Sequence, residues 1–223
     1  MYKLILFDGY GTLFDQAMDR LCETCQVMVD DLKLNMTREA FLDHWDRYFF
    51  PMIREGEFVT FWDAHVAGLE HVFGDLNVKA DPIPYVEALF QAFGQVPIYG
   101  DVRPTLKALN GVRTGVVSNA DHGHLMCALN THRLMFEKVV SSESARCYKP
   151  NPDIFFEALK GFDVRPEETL YVGDSQEDDI VGARRAGVHV AWLNRDGVVR
   201  RDAIPKPDYE IRRLLDVPEL LKG

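Results

Sequence analysis

Residues 4–13 read Leu4-Ile5-Leu6-Phe7-Asp8-Gly9-Tyr10-Gly11-Thr12-Leu13: four apolar residues that stop on a carboxylate flanked by glycine. Four residues are too few for a buried helix, and the Leu/Ile/Phe content suits a strand covered on both faces. The same pattern recurs at 115–117, 139–140, 170–172 and 190–193, each run ending in polar residues. Apolar residues at helical spacing over 106–109, 124–129, 154–159 and 180–186 predict helices between the later strands. Strands alternating with helices predict an α/β fold, a Rossmann-like parallel sheet with helices on both faces. Ligands of such sheets sit outside the carboxyl ends of the strands.

Between residue 15 and about residue 95 the alternation stops. Segments 19–32, 37–48, 58–73 and 85–93 have helical apolar spacing, with Thr37 placed as an N-cap and Pro82 and Pro84 punctuating before the last. The expected organisation is an α/β core domain over 1–14 and 96–223, with a small α-helical cap domain over 15–95 inserted at one sheet edge. Phe14-Asp15 and residues 96–102 serve as linkers, and Gly100 permits the return turn. The sequence contains neither an internal repeat nor a low-complexity segment.

Of 223 residues, 47% are hydrophobic and 27% charged, enough apolar material for a core without disulfides or a structural metal. The formal charge of −10 repels polyanions, so nucleic acid is not an expected partner, whereas a small anionic substrate can be met by a local lysine. Cys22, Cys25, Cys127 and Cys147 are too few for a disulfide framework. The Cys22-x-x-Cys25 spacing falls in a helical segment with no preceding strand and no second pair, so a packing role is expected. No apolar run is long enough for a signal sequence or a membrane span, and the expected location is cytoplasmic, as a monomer or homodimer.

The residues after each apolar run are the candidates for chemistry. Asp8 and its glycines follow the first, Ser118-Asn119 the second, Tyr148-Lys149-Pro150-Asn151-Pro152 lies beyond the third, and Gly173-Asp174-Ser175-Gln176-Glu177-Asp178-Asp179 follows the fourth. A carboxylate, a hydroxyl, a lysine and an acidic cluster are thereby placed on one rim. A carboxylate can attack phosphorus or carbon to give a covalent adduct that water opens. Lys149 offsets repulsion between that carboxylate and an anionic substrate, and Ser118 can hydrogen-bond the transferring group with Asn119 beside it. Glycines at 9 and 11 let the loop turn sharply and bring backbone N–H groups, Gly9 among them, toward a substrate.

In this order and spacing, FDGYGTL, VVSN, YKPNPDIF and VGDSQEDD resemble the four motifs of the haloacid dehalogenase superfamily, and the resemblance covers nearly the whole chain. The helical insertion resembles that family's cap between motifs one and two. The resemblance implies a hydrolase with Asp8 as nucleophile and Asp8, Tyr10, Thr12, Ser118, Asn119 and Lys149 as its catalytic set. Asp8 and Asp174 on one rim repel unless a cation lies between them, and a hard, oxygen-liking ion such as Mg²⁺ fits. By resemblance its ligands are Asp8, the backbone carbonyl of Tyr10 and Asp174, while Asp179 either reaches the metal through water or orients Lys149. Glu177 and Asp178 read as carboxylates favouring a helix N-terminus.

The chain departs from the family's phosphatases at Tyr10, where they carry a second aspartate that moves protons. A phenol titrating near ~10 is a poor base at neutral pH. FDGYGTLFD is similar to the first motif of the L-2-haloacid dehalogenases, which carry tyrosine there, work without metal, and have serine and asparagine in the last motif where this chain keeps Asp174 and Asp179. Losing a general acid costs about 10²–10⁴ in rate, whereas an uncompensated acidic cluster beside an anionic substrate costs more. The expectation is therefore a Mg²⁺-dependent phosphatase of a small phosphorylated metabolite, with a metal-free L-2-haloacid dehalogenase and a non-catalytic binding protein as the alternatives. Arg47 and Arg54 on cap helices are the candidates for substrate anions. The aromatic cluster Trp45, Tyr48, Phe49, Phe50, Phe58, Phe61 and Trp62 is expected to pack the cap and line part of the pocket. His44, His65 and His71 are expected to pack or face solvent, and His122 and His124 lie close enough to Ser118 to approach the site.

Overall fold

The computed structural model describes residues 2–221. Six parallel strands form one sheet in the order β3-β2-β1-β4-β5-β6: β1 Leu4–Phe7, β2 Arg113–Ser118, β3 Lys138–Ser141, β4 Thr169–Gly173, β5 His189–Leu193 and β6 Tyr209–Ile211. β1 is central and wholly buried. Because alternate side chains leave opposite faces, Ile5 and Phe7 join one apolar layer with Val116, Leu170 and Val172. Leu4 and Leu6 join the other with Val117, Tyr171 and Val190. Burial on both faces is why these strands read as unbroken apolar runs. Phe7 pairs with Val116 on one side and Val172 on the other, so Asp8, Ser118 and Asp174 emerge at the same edge.

The insertion after β1 holds four helices, α1 Ala17–Asp31, α2 Arg38–Glu55, α3 Phe61–Asp75 and α4 Ile83–Phe93. They enclose a separate apolar cluster that includes Met28, Phe41, Trp45, Leu69 and Leu89. The Thr37 hydroxyl caps α2 by accepting from Ala40 N at 3.2 Å. α2 runs past the expected end at 48 and through Pro51. Proline costs that helix one N–H, and the burial of Phe49 with Met52 and Ile53 against the cap core offsets the loss. The linkers pair where they leave the core: Asp15 N donates to Pro97 O at 2.8 Å and Tyr99 N to Leu13 O at 3.1 Å.

The remaining helices are α5 Val102–Ala108, α6 His122–Thr131, α7 Ser142–Ala145, α8 Asp153–Leu159 and α9 Gly182–Arg185. The helix expected over 180–186 begins earlier, as a π-helical stretch over Gln176–Val181 capped by the Ser175 hydroxyl, which accepts from Asp178 N at 3.1 Å. β6 has no counterpart in the sequence reading; it is a three-residue edge strand with only Ile211 buried, too short and polar to stand out. All four cysteines are free, and burial pushes the Cys25 thiol up to about 12, consistent with packing rather than redox chemistry. Among the described residues no helix is long and apolar enough to cross a membrane.

Candidate active site

Asp8 leaves the end of β1 almost completely buried, and its carboxylate meets Lys149 Nζ at 2.5 Å. Lys149 donates also to Asp179 Oδ1 at 2.7 Å and to the Tyr171 hydroxyl at 2.9 Å, so its three N–H bonds are committed. Burial works against the ammonium, yet Asp179 and Asp8 outweigh it and hold Lys149 above the ordinary lysine range. Asp179 is fully buried: Oδ1 accepts from Lys149 and Tyr171, and Oδ2 accepts from Ser175 N at 2.8 Å. Its geometry is that of a group orienting Lys149.

Asp174 faces Asp8 from the end of β4. Thr12, fully buried, donates to Asp174 Oδ1 at 2.9 Å, so it positions that carboxylate and does not line the cavity. Gly11 sits at φ +93°, and a Cβ there would come within 2.5 Å of the Asp174 carboxylate, so glycine alone fits. Burial lifts Asp8 to about 6 against the pull of Lys149, and lifts Asp174 to about 8 with Asp8 and Asp179 adding to the rise. Oxygens of Asp8, Asp174 and Asp179 lie within 4.8 Å of one another. Three hard oxygen donors this close, two of them with raised affinity for protons, make a set that a divalent cation would satisfy.

Asn119 is bound at both ends to Lys149: its Nδ2 donates to Lys149 O at 3.1 Å and its Oδ1 accepts from Lys149 N at 2.8 Å. It positions the lysine loop and also lines the cavity, as does Ser118, buried at the end of β2. Gly9 does not line the cavity; a Cβ there would press on Ser118 Oγ at 2.9 Å, so its smallness lets β1 and β2 deliver their ends side by side. The Tyr10 ring lines the cavity, packed on Phe14 and Phe93 with centroids at 5.2 and 5.7 Å. Burial raises its phenol further above the ordinary range, which deepens its unsuitability as a base.

The cavity, about 300 Å³, lies between these loops and the cap. Phe49, Phe50, Ile53, Phe61, Phe90 and Phe93 supply its upper wall. Arg47 does not belong to it: Trp45 and Phe49 turn inward on α2, and a residue two positions from each points the opposite way. Arg54 reaches the rim, where it sits 3.7 Å from Asp178 and over the Phe50 ring at 4.5 Å, outside the cavity lining. Lys149 is the one lysine or arginine lining the cavity among the described residues.

Three residues that the sequence reading did not assign to the site shape it. Tyr171, the single polar side chain within the apolar run 170–172, accepts from Lys149 and shares its one proton between Asp179 Oδ1 at 2.8 Å and Val117 O at 3.2 Å. Asp121 heads α6 but accepts from Phe61 N at 2.7 Å and Trp62 N at 2.8 Å, capping the cap helix α3 across the interface. No local pattern reveals a partner sixty residues away. His65, expected to pack or face solvent, lines the cavity as well, stacked on Phe49 at 4.3 Å with neither ring nitrogen hydrogen-bonded. Of the candidate pair after Ser118, His124 lines the cavity and His122 does not.

A buried carboxylate at the end of the central strand, its lysine, a facing acidic group and an inserted helical cap are the arrangement expected of a hydrolase of the haloacid dehalogenase type. The chain belongs to that family: the model of the haloacid dehalogenase-like hydrolases matches residues 2–187. Its relatives divide by activity. A glyceraldehyde 3-phosphate phosphatase from Methanopyrus kandleri is 36% identical over 158 residues, 63% of this chain and 67% of the relative. An (S)-2-haloacid dehalogenase from Xanthobacter autotrophicus is 25% identical across 100% of this chain and 96% of the relative. The solved L-2-haloacid dehalogenase of Xanthobacter autotrophicus shares the fold with a TM-score of 0.81, at 23% identity, covering 100% of this chain and 99% of that one. The HAD-hydrolase YfnB of Bacillus subtilis, solved bound to magnesium, also superposes with a TM-score of 0.81 at 19% identity, covering 100% and 99%.

Proposed function

We propose that the protein is a Mg²⁺-dependent phosphomonoesterase that works through a phosphorylated Asp8. The observation that carries this reading is the acidic set itself, with Asp8 raised by burial and by Asp179, and Asp174 raised by burial and by Asp8 and Asp179, while one lysine serves Asp8 and Asp179. A divalent ion held by Asp8, Asp174 and the Tyr10 carbonyl would neutralise that charge and draw electron density from the phosphoryl oxygens. Lys149 holds Asp8 in place and offers positive charge beside the incoming phosphoryl group. Ser118 lies where it can donate to a phosphoryl oxygen. Asp8 attacks phosphorus as the ester P–O bond breaks, and water then attacks the same phosphorus, releasing phosphate and restoring the carboxylate.

The dehalogenase alternative fares less well on charge. A haloacid brings a carboxylate, and the cavity offers it no cation beyond a lysine already shared between two aspartates. The test is hydrolysis of 4-nitrophenyl phosphate and of L-2-chloropropionate, each with Mg²⁺ and with EDTA. Phosphate release that needs Mg²⁺ and disappears in Asp8→Asn is expected. Chloride release that survives EDTA, without phosphatase activity, would refute the proposal.

A further inference from the structure

We propose that the site takes phosphate monoesters of alcohols that carry an alkylated ammonium group, with the cation seated on Asp46 and the aromatic wall of the cap while the phosphoryl group meets Asp8; this rests on the phosphatase reading above. Two features converge on it, an unpaired carboxylate and the ring-lined helix face to which it belongs.

The α2 helix turns one stripe toward the cavity. Asp46, Phe49, Phe50 and Ile53 all line it, and their spacing of i, i+3, i+4 and i+7 places them on one face of the helix. The other three are apolar, so the carboxylate among them is the feature that packing does not explain. Asp46 is half-buried, and among the described residues it makes neither an ion pair nor a hydrogen bond. Arg54, further along the same helix, lies outside the cavity lining and faces Asp178 at 3.7 Å. Burial and the neighbouring Asp43 raise the Asp46 carboxyl to about 6, so at pH 8 it is ionised with no cation in contact. A cation carried by the substrate would supply the missing partner.

The wall decides which cation. Phe49 and Phe50 stand on the same stripe as Asp46, and Phe61, Phe90 and Phe93 continue the lining. Aromatic faces attract ammonium and guanidinium groups, and the Phe50 ring already carries the Arg54 guanidinium 4.5 Å from its centroid. An ammonium with free N–H groups would need several acceptors in place of its water, whereas both oxygens of Asp121 are taken by the α3 amides. An alkylated ammonium has no such need; one carboxylate and the faces of the rings suffice. The cavity of about 300 Å³ has room for a phosphoryl group and a small ammonium alcohol. A second anionic group is unwelcome beside Asp46, because Lys149 is already shared between Asp8 and Asp179.

Phosphocholine and 3,3-dimethylbutyl phosphate share one shape and differ in the charge at the quaternary centre. At pH 8 with Mg²⁺, kcat/KM for phosphocholine should exceed that for 3,3-dimethylbutyl phosphate by about tenfold or more, chiefly through KM. Choline should compete with 4-nitrophenyl phosphate more strongly than 3,3-dimethylbutanol does. Asp46→Asn keeps the shape of a half-buried side chain and should bring the two esters within about threefold of each other by raising KM for phosphocholine alone. If the native enzyme hydrolyses 4-nitrophenyl phosphate yet turns the two esters over equally, recognition of the ammonium is refuted and the phosphatase reading stands. If Asp46→Asn lowers kcat for both esters by the same factor, Asp46 serves the chemistry instead of the cation, and the proposal is likewise refuted. No hydrolysis of any ester, with chloride released from L-2-chloropropionate, would overturn both readings.

Discussion

Replacing Lys149 by methionine keeps the length of the side chain and removes the ammonium that lies 2.5 Å from Asp8 and 2.7 Å from Asp179. Both carboxylates are buried, so neither recovers its hydration when the cation goes. Breaking a buried ion pair on one side costs about 3–5 kcal/mol, the penalty of an uncompensated charge. The variant can escape part of it by taking up a proton. In the native protein Asp8 already titrates near 6 with Lys149 beside it, and without that attraction its folded-state pKa moves higher. A carboxyl whose folded pKa lies above its unfolded value stabilises at low pH and loses that contribution as pH rises through the folded pKa. Between pH 8 and pH 6 the variant therefore gains a proton that the native protein largely does not. The gap in stability should narrow by up to about 1.4 kcal/mol per pH unit. Urea unfolding in EDTA at the two pH values, extrapolated linearly to water, measures this directly. A penalty below about 1 kcal/mol at pH 8, or one equal at both pH values, would refute the electrostatic account of the Lys149 cluster.

Asp121→Asn leaves one acceptor for two α3 amides and turns an NH₂ group toward the other, so the cap should lose about 1–3 kcal/mol of docking. Faster hydrogen exchange at Phe61 and Trp62 with a lowered kcat/KM is expected, and unchanged exchange would show that the cap is held elsewhere. His65 is held neutral, its pKa pushed down to about 3 by burial, so it opposes folding once its unfolded-state counterpart takes a proton. Native stability should fall by up to about 1.4 kcal/mol per pH unit as pH drops from about 6.5 toward 3. His65→Leu should remove that increment; parallel pH profiles for native and variant would contradict it.

The sequence made the cluster of Asp8, Lys149 and the facing Asp174 legible because each follows a short apolar run, and a parallel sheet brings such positions to one edge. Phe7 opposite both Val116 and Val172 is that rule in atoms. What the sequence concealed depends on contacts without a local signature. Tyr171 reads as one more residue of a buried strand until its hydroxyl is seen against Lys149. Asp121 reads as the cap of its own helix, and its true partners belong to a segment whose docking no spacing predicts. Arg47 was misplaced for a simpler reason: the inward face of α2 is set by Phe41, Trp45 and Phe49, and an arginine between the last two of these lies on the outer side. Asn119 and Thr12, singled out beside Asp8 and Lys149 in the sequence, are both bonded to neighbouring groups, Thr12 to Asp174 and Asn119 to the Lys149 backbone, and of the two only Asn119 lines the cavity.

The helical insertion departs and returns through two linkers bonded to each other, Asp15 to Pro97 and Leu13 to Tyr99. Its ends are thus side by side, and the apolar cluster it encloses is its own. Such a module can be exchanged as a cassette: grafting another relative's insertion between these two residue pairs would alter which molecules gain entry while the strand that bears the reactive carboxylate stays in register. Selectivity and reactivity can then diverge at separate rates within one chain, a natural route by which one scaffold comes to serve unlike substrates.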